Sequence, residues 1–157
     1  MLEHAELTRR RALLARFHGT WRGEETLSPS PWAEAGTATG HVTFAPDLGD
    51  ILLVQHYQQE RRGQPGLSLR GFFTVDPGQG DVLYYAFDTF GFPPLEPARG
   101  GWEGETLTVG KSTPRGEARH RFAWQGDRYR YTIENRLPGQ ETFTPFLTAT
   151  YVRRGVD

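Results

Sequence analysis

Cysteine is absent from this chain of 157 residues, and lysine occurs once, as Lys111. Without cysteine there is no disulfide, no thiolate metal ligand and no cysteine nucleophile. This usage favours a reducing, cytoplasmic location. Because only one lysine is available, a Schiff-base mechanism would have to use Lys111.

Long apolar runs and an excess of one charge are also missing. No stretch has the length of a transmembrane helix, and the basic, apolar and small-residue regions of a signal peptide are absent. The chain carries 18 basic and 19 acidic residues, a formal net charge of −1. Global electrostatics therefore favour neither nucleic acid nor a membrane as partner, and we expect binding to neither.

Aromatic residues, glycine and proline are plentiful, which favours strands and turns over helices. The exception is a helix predicted over Glu3–Arg16, where Leu7 and Leu14 mark a narrow apolar stripe and Gly19 ends the segment. We interpret the arginines at 9–11 as a solvated helix face rather than a phosphate site. The expected organisation is a helix over 1–17 and one β-domain over 18–157.

Short strands follow one another from Trp21 to the end of the chain, with turn signals at regular spacing. Such spacing is typical of a sandwich or a barrel. The predicted strands are Gly19–Ser28, Ala35–Phe44, Asp50–Glu60, Gly66–Asp76, Asp81–Thr89, Glu105–Lys111, Glu117–Gln125, Arg128–Asn135 and Glu141–Arg153.

One hairpin can be registered from its turn. A two-residue loop at Gly126-Asp127 sets Trp124 opposite Tyr129, Phe122 opposite Tyr131 and His120 opposite Ile133. Because side chains alternate along a strand, these six share one face. The other face then carries Arg119, Arg121, Arg128, Arg130 and Glu134.

A second hairpin is predicted around Leu48-Gly49. A two-residue loop there would set His41 opposite His56 on the outer face, while Gln55 and Tyr57 face inward. A slip of one residue would abolish the histidine pair.

The chain carries a motif of a known superfamily. A short helix, then Gly19-Thr-Trp21 opening the first strand, then successive strands ending in Tyr151-Val-Arg-Arg154, resembles the calycin superfamily of lipocalins, fatty-acid-binding proteins and nitrobindins. The resemblance implies a closed antiparallel up-and-down β-barrel of about eight to ten strands with an N-terminal capping helix. It also implies that Trp21 packs at the closed end beneath a late arginine, Arg153 or Arg154.

A longer set of motifs is similar to a bacterial lipocalin-like family of unknown function. The runs are Phe87-Asp-Thr-Phe-Gly91, Gly101-Trp-Glu-Gly-Glu-Thr-Leu-Thr108, Arg119-His-Arg-Phe122 and Gly126-Asp-Arg-Tyr129. This resemblance implies the barrel and brings no established activity.

Haem is the cofactor that the resemblance raises, since nitrobindin-like relatives bind it through a histidine near the C-terminus. No histidine follows His120 here. The last two strands offer only Tyr129, Tyr131 and Tyr151 as axial ligands, so we expect no haem and no other cofactor.

Metal binding is judged from histidine spacing. His41 and His56 with Glu60 would supply too few ligands, so we interpret them as surface imidazoles and expect no metal site.

Catalysis has one candidate base. His120 can serve as an acid or base beside cavity tyrosines, or it can be a core histidine bonded to a tyrosine hydroxyl. The chain has no Gly-x-Ser-x-Gly elbow. Asp88 and Glu134 could form a carboxylate pair, but the hairpin register places Glu134 outside, so no catalytic residue is assigned.

Inward-facing side chains define a possible cavity. Aromatic walls with few polar groups are typical of small-molecule sites, although a barrel of this size can also be filled by its own side chains. The candidate ligand-binding residues are Phe44, Gln55, Tyr57, Tyr85, His120, Phe122, Trp124 and Tyr131.

Three functional hypotheses remain. The first is binding of a small, mostly apolar ligand in the barrel without catalysis. The second is an enzyme that uses His120 with cavity tyrosines on an aromatic or lipid-like substrate. The third is an interaction protein that works through its outer surface and the Phe90–Pro97 loop, as a homodimer.

Overall fold

The computed structural model describes residues 1–30 and 34–155. Its helix α1 spans His4–Ala15, one residue shorter at each end than predicted. Within the described part of the chain, no helix has the length and apolar character needed to cross a membrane. The strands are β1 Gly19–Leu27, β2 Gly36–Asp47, β3 Leu52–Arg61, β4 Gln64–Val75, β5 Val82–Asp88, β6 Ala98–Glu103, β7 Thr106–Thr113, β8 Gly116–Trp124, β9 Arg128–Arg136 and β10 Thr144–Arg153.

These strands form a closed antiparallel up-and-down barrel, as predicted. Each pairs with the next along the chain, and β1 pairs with β10 to close the sheet. The extra strand relative to the prediction is β6. The sequence pattern does not predict β6, because it contains Gly100 and Gly101 and glycine is a poor strand former. Gly100 is needed there, since an added Cβ would lie 1.8 Å from the Thr108 carbonyl oxygen of β7.

The barrel has two unlike ends. At the helix end, odd-numbered strands begin and even-numbered strands finish, and α1 lies across the opening. At the opposite end, which we call the mouth, Leu27 of β1 lies beside Gly36 of β2. Loop 89–97 and the turn at Arg115 lie at the mouth as well.

The helix end is closed by aromatic packing around Trp21. This side chain is 0% exposed, and its indole donates a 2.8 Å hydrogen bond to the Phe17 carbonyl. The Arg153 guanidinium lies 4.2 Å from the Trp21 ring centroid. Arg153 also donates to the carbonyls of Arg16 and His18, which ties α1 to β10.

Side chains fill the barrel interior at the helix end. The space there is too small for a water molecule. Filled packing, one of the two alternatives left open by the sequence, therefore holds in this half. The residues around this space are Leu14, Phe17, Phe44, Leu53, Phe73, Leu107 and Phe122.

The predicted register of the β8–β9 hairpin is confirmed. Trp124 pairs with Tyr129, Phe122 with Tyr131, and His120 with Ile133. On the outer face, Glu134 accepts a hydrogen bond from the guanidinium of Arg119 at 3.1 Å and lies 3.4 Å from that of Arg121.

The predicted histidine pair on β2 and β3 is wrong. The turn holds four residues rather than two, because Asp47 pairs with Leu52. His41 therefore faces Gln58, and His56 faces Thr43. Both imidazoles are exposed on the outer face.

Candidate functional site

Solvent reaches the barrel interior from the mouth. Several inward-facing residues in this half are only partly buried, among them Tyr57, Ala86, His120 and Ile133. The inward-facing aromatic core of the helix end is buried, as Trp21 illustrates. The mouth half is therefore where a ligand could touch inward-facing groups.

A buried carboxylate lies beneath the mouth. Glu25 is 1% exposed and accepts hydrogen bonds from the hydroxyls of Tyr57, at 2.9 and 2.8 Å, and Tyr151, at 2.6 Å. The Gln59 amide donates a further bond of 3.0 Å. Gly40 makes room for this cluster, since an added Cβ would lie 2.0 Å from the Tyr151 hydroxyl.

Electrostatics keep the tyrosines of this cluster as donors. Burial raises the pKa of Tyr57 and of Tyr151 well above the usual range, and the charge of Glu25 adds to both effects. A carboxylate only accepts hydrogen bonds, so it is matched by these three donors: two tyrosine hydroxyls and the Gln59 amide. The sequence prediction missed Glu25, although the alternation Trp21, Gly23, Glu25 along β1 marks it as inward-facing.

His120 and Tyr131 form a second pair in the mouth half. The Nδ1 atom lies 2.7 Å from the Tyr131 hydroxyl, and the two rings are nearly parallel. The Tyr84 ring crosses His120 at 78°, with centroids 5.5 Å apart. Burial, followed by the positive charge of Lys111, lowers the pKa of His120 to about 4. The imidazole is therefore neutral near pH 7.

Tyr84 occupies the inward position predicted for Tyr85, and this is a correction. Tyr84 is 3% exposed, whereas Tyr85 is 37% exposed on the outer face. The pairing of Tyr84 with Phe73 sets this phase, since Phe73 is buried. The Tyr84 hydroxyl donates a 2.6 Å hydrogen bond to Oε1 of Gln55. Burial, with Asp88 as a lesser cause, raises the pKa of Tyr84.

Two polar atoms in this half lack a protein partner. Within the described chain, no hydrogen bond uses Nε2 of His120 or Nε2 of Gln55, and neither atom is among those sealed from solvent. A neutral imidazole has one donor and one acceptor nitrogen. When the Tyr131 hydroxyl donates to Nδ1, the ring proton lies on Nε2, and both unpaired nitrogens are then hydrogen-bond donors. In the other tautomer, Nε2 of His120 is an acceptor.

The eight predicted ligand-binding residues separate into groups. Gln55, Tyr57, His120 and Tyr131 line the mouth half. Phe44, Phe122 and Trp124 lie in the packing of the helix end, where their rings contact Phe17. Tyr85 faces outward.

The barrel wall has a gap near the mouth. Strand β6 pairs with β5 only along Val82–Tyr84, so the rest of β5 has no partner on that side. β7 continues to Thr113, beyond the first residue of β6. Loop 89–97 reaches from β5 to the β7–β8 turn, where the centroid of the Phe92 ring lies 4.7 Å from the Arg115 guanidinium.

Two charged residues face inward beside the gap, Asp88 on β5 and Lys111 on β7. Asp88 pairs with Leu69, and its Oδ1 accepts a 2.9 Å hydrogen bond from the Phe90 amide. The predicted carboxylate pair of Asp88 and Glu134 does not form, because Glu134 lies on the outer face with arginines.

Comparison with known proteins identifies the fold alone. No protein-family model matches the chain, and no curated protein matches its sequence. Among solved structures, Rv2717c from M. tuberculosis is similar with a TM-score of 0.72 and 19% identity, over 93% of this chain and 98% of that one. The S-type phycobiliprotein lyase CPES from Guillardia theta is similar with a TM-score of 0.69 and 9% identity, over 96% of this chain and 98% of the lyase. These similarities show a shared fold and no more.

Proposed function

We propose that this protein binds a small molecule in the mouth half of the barrel. The observation that supports it most directly is the pair of nitrogens without a protein partner, Nε2 of His120 and Nε2 of Gln55, on inward-facing side chains of the described chain. Because neither atom is sealed from solvent, a ligand that displaces water from them must replace the lost hydrogen bonds. A hydrogen-bond acceptor on the ligand does so at the Gln55 amide, and at His120 when Nε2 carries the ring proton.

The walls around these donors are mainly apolar. Leu69, Ala86 and Ile133 face inward and are partly buried, and the rings of Tyr84 and Tyr131 flank the imidazole. Small-molecule sites commonly combine such walls with a few fixed polar groups. The proposed ligand is therefore mostly apolar, with one acceptor group directed at His120.

The lowered pKa of His120 favours binding over acid–base catalysis. A general base works best with a pKa near the operating pH. The pKa of His120 is lowered to about 4, so its imidazole is a weak base at neutral pH. The neutral ring is suited to hydrogen bonding. We also propose that the chain is related to the bacterial lipocalin-like family that its motifs resemble.

A titration by two-dimensional NMR tests this proposal, with 1-naphthol, 1-naphthamide and indole as probes. We expect at least one probe to shift the amide signals of His120 and Tyr131. His120→Phe should weaken that binding about tenfold, the cost of roughly one good hydrogen bond. Thermal unfolding of the variant checks that it still folds.

The matched control is His56→Phe, which changes an exposed histidine on the outer face and should leave the affinity unchanged. Absence of binding by all three probes, or shifts confined to the outer face, would contradict the proposal.

A further inference from the structure

The charges at the gap specify the chemical class of the ligand. We propose that the ligand carries an anionic group, of the carboxylate type, which Lys111 receives at the gap between β5 and β7 beside His120. This inference rests on the proposed function and adds a charge requirement to it.

Lys111 faces the barrel interior from the mouth. It follows Val109, which is buried, by two residues in a strand without a register shift, so both share the inward face. Its partner across β8 is Ala118, two residues before His120. The side chain is exposed, which leaves its ammonium group free to meet a ligand that enters from the mouth or the gap.

The ammonium group has no counterion in the part of the chain that the structure describes. Arg119 and Arg121 on the neighbouring strand share Glu134, which satisfies the outer face. Among the residues that the structure describes, no carboxylate lies within 4.0 Å of the Lys111 ammonium, in contrast to the paired arginines. As the only lysine of the chain, it is a flexible point charge with three donors.

Two inward-facing groups on paired strands can therefore meet one anion: the Lys111 ammonium of β7 and the His120 imidazole of β8. Lys111 donates to the anion, and so does Nε2 of His120 when it carries the ring proton; hydrogen bonds to an ionised acceptor are stronger than neutral ones. The proximity of the positive charge to the imidazole is also expressed in the lowered pKa of His120.

Carboxylates of the protein oppose an anion from other sides. Asp88 faces the same space from β5, and Glu25 lies deeper in the barrel. Glu25 is held by three hydrogen-bond donors, and Asp88 by the Phe90 amide. Binding on the β7 side, next to Lys111, keeps the anionic group away from Asp88. Removal of the Lys111 charge should therefore weaken the binding of an anion, and removal of the Asp88 charge should strengthen it.

The test compares two probes of nearly equal shape, 1-naphthoate and 1-naphthamide, by NMR titration at low ionic strength. The wild-type protein should bind the carboxylate about fivefold more tightly than the amide, the contribution of a partly exposed ion pair. Lys111→Met keeps the apolar stem and should abolish that preference. Asp88→Asn keeps the acceptor for Phe90 and should increase the preference.

Arg130→Met is the matched control, because it removes one positive charge from an exposed outer-face position. It should leave the preference unchanged. Equal affinity for the two probes, or an unaltered preference in Lys111→Met, overturns the inference. If 1-naphthamide still binds at His120 in that case, the proposed function stands. Failure of both probes and of the neutral fragments to bind overturns the proposed function as well.

Discussion

The two halves of the barrel use the same strands to make opposite interiors. At the helix end, Phe17, Trp21 and Tyr129 pack edge to face and leave no room for water. In the mouth half, inward positions carry Glu25, His120 and other polar groups, and several are partly exposed. The difference separates a filled, closed half from a half in which solvent reaches some inward-facing groups.

The helix explains much of that difference. α1 ends against the barrel, where Arg153 of β10 bonds the carbonyl of Arg16, and the Arg16 guanidinium covers the rings of Trp102 and Trp124 at about 5 Å. The mouth has only loops and a stretch of β5 that β6 does not pair. Closure therefore comes from α1 at one end, and the other end is left accessible.

The largest effect should come from breaking the helix end. Trp21→Ala removes the central ring of the filled half, and we expect the free energy of unfolding to fall by about 4 kcal/mol, as for other buried aromatic truncations. Urea denaturation measures this. Arg22→Ala, at the adjacent exposed position, should cost less than about 0.5 kcal/mol. A similar small loss for both variants would contradict the central role of Trp21.

A pH effect should mark the mouth half. Because burial and Lys111 lower the pKa of His120 to about 4 from 6.5, the unfolded chain binds this proton more readily. Stability should therefore fall as the pH decreases from about 6.5 to 4, by up to about 3 kcal/mol for this group. His120→Gln should flatten that part of the curve, whereas His56→Gln should not. Chemical denaturation at several pH values measures the difference, and parallel curves for wild type and His120→Gln would refute it.

A smaller effect should follow from changing the buried carboxylate. In the wild-type protein, the hydroxyls of Tyr57 and Tyr151 donate to the Glu25 carboxylate. Glu25→Gln keeps the shape of the side chain, but its NH2 group is a donor and would face these hydroxyl donors. We expect a loss of about 2 kcal/mol in unfolding free energy, the cost of mispaired buried donors. Glu24→Gln, which faces outward, should cost almost nothing. Urea denaturation of the two variants measures both losses. Equal unfolding free energies for Glu25→Gln and Glu24→Gln would contradict a stabilising role of Glu25.

Prediction from sequence succeeded where a turn and a clear alternation occur together. The β8–β9 hairpin is such a case, because Gly126 marks the loop and aromatic residues alternate with arginines on both sides. Prediction failed at Tyr84 and Tyr85, where two identical residues carry no phase. It also failed at His41 and His56, where the turn is longer than its glycine suggested.

The candidate site was predicted in part. His120, Tyr131, Gln55 and Tyr57 belong to the mouth half, and each was named from its strand phase. Glu25 was missed, since a glutamate beside another glutamate in β1 is usually taken as an exposed pair. Its burial depends on Tyr57 and Tyr151, which lie 32 and 126 residues away in the chain.

The sequence by itself determined where nine of the ten strands lie along the chain and, for most of them, which side chains face inward. These properties are local, because turn residues and the pleat act over a few neighbouring positions. Only the tertiary structure decided which inward residues meet and where the wall stays unpaired. Those outcomes depend on the register of ten strands around a closed circuit and on where α1 lies. The burial of the Glu25 carboxylate, the unpaired nitrogens of His120 and Gln55, and the position of Lys111 at the gap are consequences of that closure.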